Sequence, residues 1–226
     1  MIFAWVIASA ATTASAIGSA CLVGTLLVKR GFSKASAGVM ASGVAQAAAA
    51  SIGSYFLIRN GFVNLYTVSV SPQLLAVWLV VTAAALLTVA ISNKVGDPMS
   101  APIAKDFMKL YEVCRPCFFA LPLLVAPVCE EILFRGLLQA WLATVIGAWP
   151  ALGVATMVFT VGHVRALGLS KSLVTVAVLA ALLGVPVALY GTLIPSMITH
   201  ALCNLAGVRD TLISSRPDQL VGLGVS

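Results

Sequence analysis

Charge is what this chain has least of. Only 9% of its 226 residues are Asp, Glu, Lys or Arg, where a soluble domain carries about a quarter. With 61% apolar residues and a mean hydropathy of +1.07, a soluble globular class is excluded and the membrane class remains. The apolar runs are rich in Ala, Val, Leu and Gly and far longer than the short alternating segments of an outer-membrane barrel. The fold class expected is therefore all-α, a polytopic transmembrane helix bundle. Basic stripes with interleaved aromatics are also missing, so the net charge of +6 points to topology rather than to nucleic acid. No Lys or Arg precedes Lys29, so the basic n-region of a signal peptide is lacking although Ala14-Ser15-Ala16 resembles a cleavage site. A retained first span is expected at 2–28. The cysteines, Cys21, Cys114, Cys117, Cys129 and Cys203, are odd in number and mostly in apolar runs, which argues against a disulfide framework.

Seven apolar segments can be drawn, at 2–28, 36–58, 72–92, 117–146, 149–166, 172–190 and 192–208, against about 20 residues per span. The expectation is about seven spans, within six to eight, because the fourth segment contains Pro122 and Pro127 and the last is short. Every second connection is basic: Lys29, Arg30 and Lys34; Lys94, Lys105, Lys109 and Arg115; Arg165 and Lys171; Arg209 and Arg216. The positive-inside rule then puts the N-terminus outside and the C-terminus in the cytoplasm. Residues 93–116 are the one long polar connection. Within it Ile103–Tyr111 suits either an interfacial amphipathic helix or a solvated loop. No repeat or soluble domain is visible, so residues 1–226 read as a single membrane domain: N-terminal spans and a cytoplasmic loop over 1–116, then a core over 117–208.

Ionisable groups in hydrocarbon cost several kcal/mol and need a reason. Five of the seven acids lie in the polar loop or the C-terminal tail; the other two, Glu130 and Glu131, are adjacent in apolar sequence. The only two histidines, His163 and His200, fall within or at the end of apolar segments, and Arg135 is the one base well inside a span. On a helix Glu131 and Arg135 are four apart and share a face, whereas Glu130 lies about 100° away and is left without that partner. His200 and Asn204 are also four apart. A buried salt bridge, a core histidine and an interhelical clasp would each account for one of these segments alone. Together, a carboxylate, two imidazoles and an amide on the interior of a bundle can activate water and stabilise an oxyanion. Depth is a difficulty. Thirteen residues of continuous helix from Cys117 would carry Glu130 about 20 Å inward, too deep to meet His163 beside Arg165. A helix broken or offset around Pro122–Pro127 is therefore expected.

Glu-Glu-x-x-x-Arg at 130–135, Phe-x-x-x-His at 159–163 and His-x-x-x-Asn at 200–204 resemble the three motifs of the CAAX prenyl endopeptidase and bacteriocin-processing (CPBP, or Abi) family of intramembrane proteases, in the family's order. The resemblance covers about 117–208; the first three spans carry no family signature. It implies an intramembrane endopeptidase acting on a membrane-anchored, prenylated or sorting-signal-bearing peptide or protein. It also implies roles by motif position: Glu130 as general base, His163 positioning the water, His200 and Asn204 stabilising the oxyanion, and Glu131 with Arg135 holding the site together. Glu130, His163 and His200 would supply a zinc site of two His and one carboxylate. Without His-Glu-x-x-His or a spare second-shell acid, the metal-free glutamate mechanism is favoured and no cofactor is expected. The location expected is a bacterial inner membrane.

Other readings remain at this stage. Cys203 near His200, or Cys129 beside Glu130, would serve as a nucleophile, although small apolar packing suits both better. Cys114-Arg-Pro-Cys117 has the spacing of a redox pair without the βαβ pattern that goes with one. From other classes, a proton-coupled transporter would use the Glu and His residues as a relay, and a non-catalytic scaffold or immunity protein would scatter them over different helix faces.

Overall fold

In the computed structural model, residues 2–67, 71–95 and 108–214 are described. Among these residues seven long helices follow one another: α1 (Ile2–Lys29), α2 (Lys34–Arg59), α3 (Pro72–Lys94), α4 (Arg115–Ile146), α5 (Ala148–Leu167), α6 (Lys171–Tyr190) and α7 (Ile194–Ser214). A short 3₁₀ turn, Phe62–Tyr66, links α2 to α3, and there is no strand among the described residues. The protein is thus an all-helical, multi-pass membrane protein. Among the described residues, five helices are long and apolar enough to cross a membrane: Ala10–Lys29, Ser36–Arg59, Pro72–Lys94, Arg115–Ile146 and Lys171–Tyr190. Ala148–Val164 is shorter, and α7 carries His200, Asn204, Arg209 and Asp210. Against an expectation of about seven spans, five helices qualify on length and hydropathy.

Local sequence sets the helix boundaries. Ser33 and Ser71 cap α2 and α3, their hydroxyls accepting from the backbone N–H of Ser36 and Leu74. Gly147, at φ 87°, turns the chain from α4 directly into α5, a conformation open to glycine and costly for other residues.

Helix α4 corrects the expected break. It is continuous, but its register changes: Leu121–Val125 and Glu131–Ala140 are π-helical. In the first stretch the N–H of Ala126 bonds five residues back, to Leu121. The next partner in that register would be Pro127, which has no N–H to give. The Pro122 carbonyl is therefore orphaned by its own helix, and Asn204 Nδ2 donates to it at 2.8 Å from α7. The prolines change the pitch without ending the helix because a side chain from elsewhere supplies the missing donor.

Helix α2 lies along α4 through Gly43, Gln46, Ala50, Gly53 and Leu57, spaced three and four apart on one face. A Cβ on Gly43 would overlap Leu121; one on Gly53 would touch Ile132, Leu133 and Leu137; one on Gly136 would stand 2.8 Å from Leu57. Small residues let the two backbones approach closely. At one end of the bundle the Leu193 N–H donates to the Leu65 carbonyl and the Thr192 hydroxyl to that of Thr67. At the other end Asn93 meets Asp210, and Thr175 donates to Ser92. Leu110, Phe118 and Val208 cluster there with Val39 and Met40. Connections that the charge alternation puts on one side of the membrane thus meet in space.

One other expectation changes, and another falls partly outside the described residues. Cys114 and Cys117 form a disulfide at the start of α4; the odd count misled because three cysteines stay free and one local pair forms. Of Ile103–Tyr111, residues 103–107 lie outside the described residues, while 108–113 are helical.

Candidate active site

The three motifs converge from α4, α5 and α7. Glu131 and Arg135 share a face of α4, with Arg135 Nε 3.3 Å from Glu131 Oε2 and both side chains at most 1% exposed. Arg135 reaches further: its Nη2 donates to the Ala180 carbonyl of α6 at 2.9 Å, and its guanidinium carbon stands 4.6 Å from the centre of the Phe159 ring on α5. One cation thereby joins three helices and has an ion pair, a hydrogen bond and an aromatic face to offset its burial.

His200 lies between the two glutamates. Its Nδ1 is 2.9 Å from Glu131 Oε1, and its Nε2 is 3.9 Å from Glu130 Oε2. A carboxylate only accepts, so the Nδ1–H of His200 donates to Glu131, and Nε2 is presented to Glu130. The separation of 3.9 Å is too long for a direct hydrogen bond but suits one water bonded to both atoms. The other oxygen of Glu130, Oε1, accepts from Gln46 Nε2 at 3.1 Å. Glu130 is therefore without a partner on its own helix and has two across helix boundaries. One turn of α7 is fixed from α3: Trp78 Nε1 donates to Thr199 Oγ1 at 3.1 Å, and Thr82 lies 2.8 Å from the same hydroxyl.

His163 is placed differently. Its Nδ1 is 2.9 Å from the Phe159 carbonyl of its own helix, and its ring lies 4.5 Å from that of Phe159, which in turn is 6.3 Å from that of His200. Phe159 thus stands among Arg135, His163 and His200. Asn204 is one turn beyond His200, with Nδ2 on the Pro122 carbonyl; a carboxamide has a second N–H on that nitrogen. The structure gathers Glu130, Glu131, Arg135 and His200 into one network. It brings His163 to that network through Phe159, and Asn204 through the π-helical stretch of α4.

Both histidines have Nδ1 engaged within the protein, which leaves Nε2 of each for a water, a substrate or a metal ion; among the described residues no group of three or more His, Cys, Asp or Glu side chains is gathered that could hold a metal ion. Cys129 and Cys203 are free and buried in apolar clusters, as packing requires.

Gln46, Trp78, Thr82 and Thr199 escaped the sequence reading. They are neutral and lie far along the chain from their partners, so only a polar side chain in an apolar run marked them. Against known proteins, residues 114–206 match the family model described as type II CAAX prenyl endopeptidase Rce1-like. No curated protein and no solved structure matches the chain. The matched stretch starts at Cys114 and ends two residues past Asn204, so it contains all three motifs. Over residues 114–206 the chain is accordingly similar to the Rce1-like type II CAAX prenyl endopeptidases, the similarity that the three motifs had suggested.

Proposed function

We propose that the protein is a metal-free intramembrane glutamate endopeptidase that hydrolyses a peptide bond in a membrane-anchored, prenylated or sorting-signal-bearing substrate. The observation that carries this reading is the arrangement at Glu130. One carboxylate oxygen is held by Gln46 and the other faces His200 Nε2 across 3.9 Å. A water there is within reach of a base and an imidazole together. Glu130 takes the proton as the water oxygen attacks the carbonyl carbon, and returns it to the leaving amine as the C–N bond breaks. His200, held at Nδ1 by Glu131, donates from Nε2, when protonated, to the developing oxyanion. Asn204 offers its second N–H to the same oxygen. His163 has its Nε2 for positioning water or substrate. Glu131 and Arg135 keep His200 oriented.

In this reading α5 and α7 also cross the bilayer, giving about seven spans in a single membrane domain. The N-terminus is outside, the C-terminus cytoplasmic, and the membrane is a bacterial inner membrane. The supports for this topology are the alternation of basic and non-basic connections and the meeting of connections of each kind at opposite ends of the bundle. The test uses purified protein in liposomes with a farnesylated reporter peptide, before and after exhaustive chelation. Cleavage that persists at the same rate without metal is expected. Loss of cleavage on chelation, restored by zinc, would overturn the metal-free mechanism; proton flux with no cleavage would favour a transporter.

A further inference from the structure

Gln46 lies in α2, outside the stretch that matches the family model, and belongs to none of the three motifs. It is the only carboxamide in α2. Its companions on the face turned to α4, Gly43, Ala50, Gly53 and Leu57, are small or apolar and fit closely against that helix. A polar amide in such a seam is unfavourable unless it is bonded across the seam. Across it Gln46 Nε2 meets Glu130 Oε1 at 3.1 Å.

We infer that Gln46 is a positioning residue that fixes the carboxylate of Glu130 for proton abstraction, an inference that rests on Glu130 being the general base. A glutamate carboxylate turns easily about its terminal bond, which has a broad, roughly two-fold potential. A single donor on Oε1 sets its plane and reserves Oε2 for the water beside His200. Only the nitrogen end of the amide can do this, because an ionised carboxylate accepts and the amide oxygen would repel it. A donor to an ionised acceptor is among the stronger hydrogen bonds. Gly43, one turn before Gln46, brings the α2 backbone close enough for that reach, since a Cβ there would overlap Leu121. The N-terminal helices therefore supply a group to the catalytic centre.

The test is Gln46→Met, which keeps the length and volume of the side chain and removes the donor. With a farnesylated reporter peptide and reconstituted protein, kcat is expected to fall about 10- to 100-fold, with KM within about twofold. The double variant Glu130→Ala/Gln46→Met is expected to be no slower than Glu130→Ala alone, because the two residues act as a unit. If Gln46 served helix packing alone, Gln46→Met would lower the melting temperature and leave kcat per folded molecule unchanged, which would overturn the inference. Should Gln46→Met fail to fold, Gln46→Ala, as small as its neighbours in the seam, takes its place: the same loss of kcat is expected, and a wild-type kcat refutes it. Inactive Glu130→Ala beside fully active Gln46→Met defeats this inference and leaves the base intact. Fully active Glu130→Ala defeats both.

Discussion

Arg135 is the residue on which the site is most exposed to damage. Its charge and that of Glu131 are both removed from water, and each offsets a large part of the other's burial. Arg135→Leu would leave the buried carboxylate of Glu131 without its cation and with His200 as its one partner named above, and thermal unfolding in detergent should register a loss of about 3–5 kcal/mol. The double variant Glu131→Leu/Arg135→Leu should recover most of that stability, since an apolar pair of similar volume often replaces a buried ion pair without loss. It should remain inactive, because His200 then loses the acceptor for Nδ1. Recovery of activity along with stability would contradict the role given to Glu131. This part of the site was legible in the sequence: an acid, a base and a histidine in apolar runs are conspicuous, and helical spacing put Glu131 with Arg135. Gln46 was not, because a neutral amide costs little enough to occur without function, and its partner lies 84 residues away.

At the scale of elements, α4 decides the geometry. Proline content signalled that the helix would be irregular, but not in what way. A break and a π-helical register are both answers to a missing N–H; the choice depends on whether something else satisfies the freed carbonyl. Here Asn204 does so from 82 residues away, which no local pattern contains. The seam between α2 and α4 was equally hidden, since composition gives small residues without saying which helix they face. That seam leads to a sharp expectation. Gly136→Ala places a methyl 2.8 Å from Leu57 Cδ1 and 3.3 Å from Leu193 Cδ1, both wholly buried. Overpacking of this kind costs about 1–3 kcal/mol. Gly153→Ala, where a new Cβ meets nothing within 4 Å, should be neutral or slightly stabilising in the same unfolding assay. Equal effects at the two positions would mean that the seam is looser than described.

The whole molecule divides its labour unevenly along the chain. The family-matched stretch, 114–206, carries the carboxylates, both histidines and Asn204. The helices before it supply Gln46 on Glu130 and the Trp78 and Thr82 contacts to Thr199, next to His200. The all-helical class and the single run of membrane helices were readable from hydropathy. The assembly of helices around α4 was not, because interhelical contacts in a bilayer are made by small and neutral residues that hydropathy does not distinguish. The central claim concerns the division between two adjacent carboxylates: Glu130 performs the chemistry, and Glu131 supports His200. The most direct measurement is the cleavage rate of Glu130→Gln, reconstituted in liposomes with a farnesylated reporter peptide and verified as folded by its melting temperature. The expectation is a wild-type melting temperature with kcat lowered by at least about 100-fold, as befits loss of a general base. A folded Glu130→Gln protein that cleaves at the wild-type rate would contradict the account.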